Sequence, residues 1–437
     1  MLRRIRVQGY KSLRDVEINL QPLSILFGPN AAGKSNFLDI LQLLSRMVTS
    51  RTLKEAFAPP YRGQPLESYS FGSDGMRGLL KRDSARFSVE VDIELSSATV
   101  GAVEKQVLEM KRSPDDPAPK NGGASAGPIR ERYLRYKVVV EILPKSGVLR
   151  IAEEYLAALN AEGQVSRKRK PFLETMQNRI HVRMEGQSHP TYYDIGLDHC
   201  ILSRPHYAPH YPHMVAVQLE LESWRFFYFE PRERMRTASP VKEVRHIGLM
   251  GEELPSFLNT LKVLDEAQFR SLEKSLHAII PSVTGLDVDV NDLGEVELRI
   301  REGELSVPAR VVSEGTLRVL GLLALGGAKE PPSLVGFEEP ENGIHPRRIQ
   351  LIAEMLKNRT RAGDSQIIVT THSLIFPDLV SPACLFVCRK RDATTTIQAF
   401  ESMGELLKEA EVDLAMNEDD EKVTSVSDRI LRGDFDA

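Results

Sequence analysis

Residues 28–35, Gly-Pro-Asn-Ala-Ala-Gly-Lys-Ser, constrain what this chain can fold into more than any other stretch. An apolar run at 23–27 precedes them, and a segment with helical spacing at 36–41 follows. Strand, glycine-bearing loop and helix in that order make a phosphate-binding loop: its backbone N–H groups face phosphate oxygens, and the helix N-terminus adds positive potential there. On this reading Gly28, Pro29, Asn30, Ala31, Ala32, Gly33, Lys34, Ser35 and Asn36 cradle the phosphates of a nucleoside triphosphate. Lys34 reaches the β- and γ-phosphates, and Ser35 offers its hydroxyl to Mg²⁺.

About 300 residues later, the apolar run 335–337 ends in Glu338-Glu339-Pro340. A parallel strand beside the phosphate loop would deliver both carboxylates to the Mg²⁺ and γ-phosphate. Glu338 then holds the metal and Glu339 polarises the attacking water as general base. Taken alone, the pair reads equally well as two solvated acids capping a strand. Two further segments favour the catalytic reading. Ser313-Glu314-Gly315-Thr316 places a hydroxyl, a glycine and a fresh helix N-terminus together, a device for gripping phosphate. The apolar strand 366–370 runs into Thr371-His372-Ser373, where the imidazole could contact a γ-phosphate.

In this order the segments resemble the ABC-type ATPase heads of the RecF, SMC and OLD (overcoming lysogenization defect) group. FGPNAAGKSN is similar to their Walker A, VSEGTLRVLGLL to their signature, LVGFEEPENGIHP to Walker B with its D-loop, and IIVTTHS to their switch histidine. The SEGT and ENGIHP stretches look most like OLD-type AAA-family ATPases. Glu338 replaces the usual Walker B aspartate, and Gln42 and Gln64 are the candidates for a metal-side glutamine. The resemblance implies an α/β ABC-ATPase-like P-loop fold with a mixed sheet core, an antiparallel β subdomain and a helical or irregular insertion. It also implies catalysis by Lys34, Glu339 and His372, with Ser35 and Glu338 at the metal. Ser313, Glu314 and Gly315 would contact ATP bound by a second subunit, which implies a homodimer closed by nucleotide, with higher oligomers open.

Along the 437 residues this predicts an N-terminal ATPase part at 1–50, a β subdomain and inserted lobe at 51–230, a C-terminal ATPase part at 231–400 and an acidic tail at 401–437. Strands are expected at 4–7, 16–20, 87–95, 135–143, 148–151 and 178–184. Helices are expected near 98–112, at 252–280 with a break near 265, from 314, and at 346–358. Residues 51–80, rich in Pro and Gly, read as a long loop, and 113–128 as a flexible connector. The tail holds twelve acids against four Lys or Arg, a net of −8, which leaves +4 for the remainder of a chain whose total is −4. It reads as solvated.

No run of about 18 apolar residues exists, so no membrane span is expected. Three cysteines cannot build a disulfide framework, which fits the cytosol; Cys384 and Cys388 read as buried strand residues. His199, Cys200, His206, His210 and His213 lie among Pro205, Pro209 and Pro212, which makes a packed, extended loop the preferred reading over a metal site. The basic run 167–170 reads as a solvated loop, with phosphate contact the alternative. Arg232, Arg234 and Arg236 read as one edge that either meets nucleotide or nucleic acid or joins lobes.

Two functions from different classes compete. One is an ATPase switch that holds or releases an effector protein, as in prokaryotic anti-phage systems. The other is a RecF-like DNA-repair ATPase that binds nucleic acid directly. The acidic balance and the lack of coiled-coil arms weigh against the second. The 65 residues beyond His372 are too few for the nuclease domain of OLD proteins.

Overall fold

A computed structural model describes residues 1–111, 127–187, 189–327, 331–363, 365–402 and 425–432. Most of the predicted connector and of the acidic tail lie outside these residues. The chain divides into two compact units, each assembled from separated pieces. One comprises Met1–Gln21, Ala31–Trp224 and Arg389–Ile397; the other comprises Pro22–Asn30, Arg225–Cys388 and Gln398–Ala437.

The first unit begins with β1 (Leu2–Tyr10) and β2 (Leu13–Asn19), an antiparallel pair. The next strand, β3 (Leu23–Phe27), belongs to the second unit and is buried at every residue. Helix α1 (Lys34–Met47) follows the phosphate loop. The predicted loop at 51–80 contains two short helices, α2 (Leu53–Ala56) and α3 (Gly75–Leu80). Thr52 starts α2 by accepting a hydrogen bond from Glu55 N–H, so a local cap overrides the surrounding Pro and Gly.

Strand β4 (Ala85–Glu94), helix α4 (Ser97–Lys111) and strands β5 (Tyr133–Leu143), β6 (Val148–Ala158), β7 (Leu173–Met176), β8 (Arg179–Val182) and β9 (Thr191–Asp194) come next. They complete an antiparallel sheet ordered β2-β1-β4-β5-β6-β7-β8-β9. Alternating apolar residues turn one face inward, as the period of two requires. The other face carries ion pairs; Arg135 forks onto Asp92 at 2.6 and 2.7 Å. Strand β6 runs seven residues past its predicted end at 151. Its Glu154 is fully buried but satisfied, accepting from Ile201 N–H, Leu202 N–H and the Tyr136 hydroxyl.

The unit also contains α5 (Pro212–Glu222), where the sequence reads as extended loop. Pro212 is the first helical residue, a position where its fixed φ and missing N–H cost nothing.

The second unit contains β10 (Arg225–Phe227), β11 (Ser239–Pro240), α6 (Leu254–Leu264) and α7 (Glu266–Ile279). The two helices break at Asp265, which caps α7 by accepting from Gln268 N–H. Strands β12 (Gly285–Val290), β13 (Glu295–Glu302) and β14 (Leu305–Pro308) form a small antiparallel sheet with β11. Helix α8 (Glu314–Ala324), β15 (Leu334–Glu338), α9 (Pro346–Arg361), β16 (Gln366–Thr371) and β17 (Leu385–Arg391) follow. The last strand is β18 (Thr394–Ala399), most of which belongs to the first unit.

Parallel strands in the order β10-β15-β16-β3-β17 make the centre of this unit. They read as continuous apolar runs because both faces are covered. Leu23, Ile25, Phe27, Phe227, Phe337, Ile367 and Val369 belong to a single core. Cys388 is buried in β17, whereas Cys384 ends a 3-10 turn ahead of the strand and is only half-buried, contrary to the strand expectation. Strand β16 lies between β15 and β3.

Candidate nucleotide site

Parallel register fixes where the second unit's chemistry gathers. Glu338 is level with Thr370 and Thr370 with Leu26, while Thr371 is level with Phe27. The C-terminal ends of β15, β16 and β3 therefore share one sheet edge. Gly28, Pro29 and Asn30 leave that edge from β3, Glu338 and Glu339 leave it from β15, and His372 leaves it from β16. In open α/β sheets this is the edge at which ligands bind.

The candidate phosphate loop is tightly coiled. Gly28, Ala31 and Gly33 all have positive φ (147°, 63° and 98°), which coils the backbone tightly before α1. Lys34 and Ser35 open α1; Lys34 is buried. Asn36 donates from Nδ2 to Ser12 Oγ at 2.8 Å. Farther along the helix, buried Asp39 accepts from Lys11 Nζ at 2.8 Å and from Arg62 Nε at 3.0 Å.

Glu338 and Glu339 have different settings. Glu338 ends the strand, but Glu339 turns to φ 49°, a left-handed conformation worth about 1–3 kcal/mol of strain at a non-glycine residue. Its N–H donates to Thr370 O at 2.9 Å, which holds the kink. Its carboxylate Oε1 is 2.9 Å from His372 Nδ1, in a half-exposed pair. His372 thus touches the predicted general base, a contact the sequence did not predict.

Glu341 is the acid that sequence reasoning missed. It is buried; Oε1 accepts from Thr371 Oγ1, and Oε2 has no hydrogen-bond partner. Burial pushes its pKa up, with the Thr371 bond opposing that shift. Thr371 Oγ1 in turn accepts from Ser373 N–H at 2.9 Å. Glu341 is therefore tied to the segment that carries His372.

At the signature segment, Ser313 is the N-cap of α8. Its Oγ accepts from Thr316 N–H at 3.2 Å and lies 2.8 Å from Thr316 Oγ1. Glu314 pairs with Arg232, which holds the carboxyl below its usual range. A Cβ at Gly315 would lie 2.6 Å from Gly343 O, so only glycine lets α8 approach that turn. Arg318, one turn on, donates to Asn342 O at 2.6 Å and Phe229 O at 3.2 Å. Residues 231–235 form a π-helical turn and not the expected edge. Arg236 donates to Val312 O at 2.7 Å, a structural link toward α8.

The remaining candidates are occupied by packing. His213 is fully buried, stacked on Phe172 and bonded through Nδ1 to Glu185. His199 meets Asp198 and Arg204, and His206 the carbonyl of Ile201. Arg169 of the basic run pairs with Glu185 and lies over Phe172. Gln64 caps a 3-10 turn at 65–68. Among the described residues no three His, Cys, Asp or Glu side chains converge as a metal cage. Mg²⁺ bound with a nucleotide needs none, since one or two protein oxygens, phosphates and water complete its shell.

Residues 1–94 match the family described as "AAA ATPase domain". Residues 213–376 match the family described as "AAA domain, putative AbiEii toxin, Type IV TA system". The first match contains the phosphate loop, and the second contains the signature segment, Glu338, Glu339 and His372. No curated protein matches the chain. Among solved structures, an SmcHead bound to the C-winged helix domain of ScpA is similar over 92% of this chain and 99% of its own, with 12% identity and a TM-score of 0.52. An SMC head domain from Thermotoga maritima aligns over 91% and 98%, with 15% identity and a TM-score of 0.40. The chain thus carries AAA-type ATPase sequence and the α/β fold of an SMC-type ATPase head. No helix among the described residues is long and apolar enough to cross a membrane.

Proposed function

We propose that this protein binds ATP on loop 28–36, hydrolyses it, and uses the cycle as a switch for a separate effector protein. The observation that carries this reading is the shared sheet edge, from which the phosphate loop, Glu338–Glu339 and His372 all depart. Lys34 supplies charge to the β- and γ-phosphates. Glu339 accepts the proton of the attacking water, and His372 Nδ1 orients that carboxylate. Ser35 and Glu338 would hold Mg²⁺, which, when bound, neutralises charge on the phosphate oxygens.

Ser313 and the α8 N-terminus face a second copy's nucleotide in this account, so ATP closes a homodimer and hydrolysis reopens it. The match of residues 213–376 to a family described as a putative AbiEii toxin of a Type IV TA system supports a role in prokaryotic defence. The ScpA-bound SmcHead offers a precedent for a head of this fold holding a protein partner. The protein acts in the cytosol.

Equilibrium binding of a fluorescent ATP analogue tests the reading. Wild type should bind in the presence of Mg²⁺ and Lys34→Ala should not. Equal binding by a folded Lys34→Ala protein overturns it.

A further inference from the structure

The last strand holds a side chain that no motif marks. Thr395, in β18, is fully buried. Its Oγ1 lies 2.8 Å from Ala32 O, inside the phosphate loop, and 2.7 Å from Ser12 Oγ. Ser12 Oγ also receives Asn36 Nδ2 at 2.8 Å, and Thr395 N–H donates to Ser12 O at 2.8 Å.

Thr395 Oγ1 carries one proton, with Ala32 O and Ser12 Oγ both within reach as acceptors, and Ser12 Oγ accepts from Asn36 Nδ2 as well. The chain of bonds begins and ends in the phosphate loop and its helix. It lies in a buried place, where a broken link is expensive.

The loop rests directly on this chain. At Gly33, with φ 98°, a Cβ would lie 2.1 Å from Thr395 Oγ1 and 2.9 Å from Ser12 Oγ. Ala32 O is consumed on the Thr395 side. That matters for an anion site, because a carbonyl oxygen turned toward phosphate would repel it, whereas N–H groups attract it. Holding the one fixes the other.

We propose that Thr395 and Ser12 are positioning residues that preset the phosphate loop for the triphosphate. The proposal rests on the nucleotide-binding reading above. Neither residue need touch ATP. Their effect is on affinity, because a loop already in its bound conformation does not have to be ordered on binding.

The test compares Thr395→Val, which keeps the shape and removes the hydroxyl, with Thr395→Ser, which keeps the hydroxyl. Kd for the ATP analogue and the KM and kcat of hydrolysis are measured for each, with melting in the absence of nucleotide as the fold control. Thr395→Val should raise Kd and KM about five- to tenfold, as expected for one lost buried hydrogen bond, with kcat at saturation retained. Thr395→Ser should restore wild-type Kd. Ser12→Ala, which breaks the chain without altering β18, should also raise Kd and serves if Thr395→Val does not fold. Wild-type Kd in folded Thr395→Val or Ser12→Ala overturns the proposal, as does a fall in kcat with Kd unchanged. Wild-type protein that binds no ATP instead overturns the nucleotide reading itself.

Discussion

His372 Nδ1 lies 2.9 Å from Glu339 Oε1, so His372 and the proposed general base form one unit. Their pairing depends on β15 and β16 being neighbours in parallel register and on the left-handed turn at Glu339. In the proposed mechanism His372 donates Nδ1–H to Glu339 and fixes which oxygen faces the water, and each side chain can be tested separately.

Glu339→Gln should bind ATP and lose about 10²–10⁴-fold in turnover, because the amide keeps the shape but accepts no proton. Phosphate release under single-turnover conditions measures this. If Glu338→Gln stops turnover and Glu339→Gln does not, the roles of the two acids are exchanged.

His372→Ala should lower kcat while leaving Kd for ATP within about twofold of wild type, since the loss is of orientation and not of phosphate charge. A rise in Kd with kcat unchanged would place the imidazole at the bound nucleotide's phosphate instead of at Glu339.

Ser313→Arg should bind nucleotide and fail to turn it over, because the lesion faces the partner's ATP in the proposed dimer. Mixing it with Lys34→Ala subunits should recover activity through one intact composite site. Full activity of either single variant would show that catalysis does not need two copies.

Stability should depend on pH through Glu154. Burial raises its pKa from 4.5 to about 7, against the opposing hydrogen bonds from Ile201, Leu202 and Tyr136. The folded state therefore binds this proton more tightly than the unfolded state. The stabilisation is complete below about pH 4.5 and is lost as pH rises through about 7. Melting temperatures across that window should fall in wild type, and that component should vanish in Glu154→Gln. An identical slope in both proteins would contradict the assignment.

Much of the candidate site's local structure was legible because its residues lie in short local segments. The loop 28–35 carries its own glycines, lysine and hydroxyl, and Ser313 caps the helix that its own motif begins. What stayed hidden depends on strand order. The interposition of β16 between β15 and β3, and with it the Glu339–His372 pair, follows from crossover topology that no residue pattern encodes. Glu341 is close to the visible acids, but only burial against Thr371 distinguishes it from a solvated neighbour. Thr395 belongs to no motif at all. Helix α5 escaped because residues 212–217 are all buried, leaving no polar face to give a helical period. Strand β6 was cut short because Glu153 and Glu154 read as surface, whereas Glu154 is buried and fully bonded.

The most direct test of the central claim is light scattering coupled to size exclusion, with ATP hydrolysis measured on the same samples of wild type and Glu339→Gln. Wild type should hydrolyse ATP with Mg²⁺, and Glu339→Gln with ATP should double in mass and stay doubled. Wild type with no nucleotide-dependent activity, or Glu339→Gln that remains a monomer while hydrolysing ATP at the wild-type rate, would contradict it.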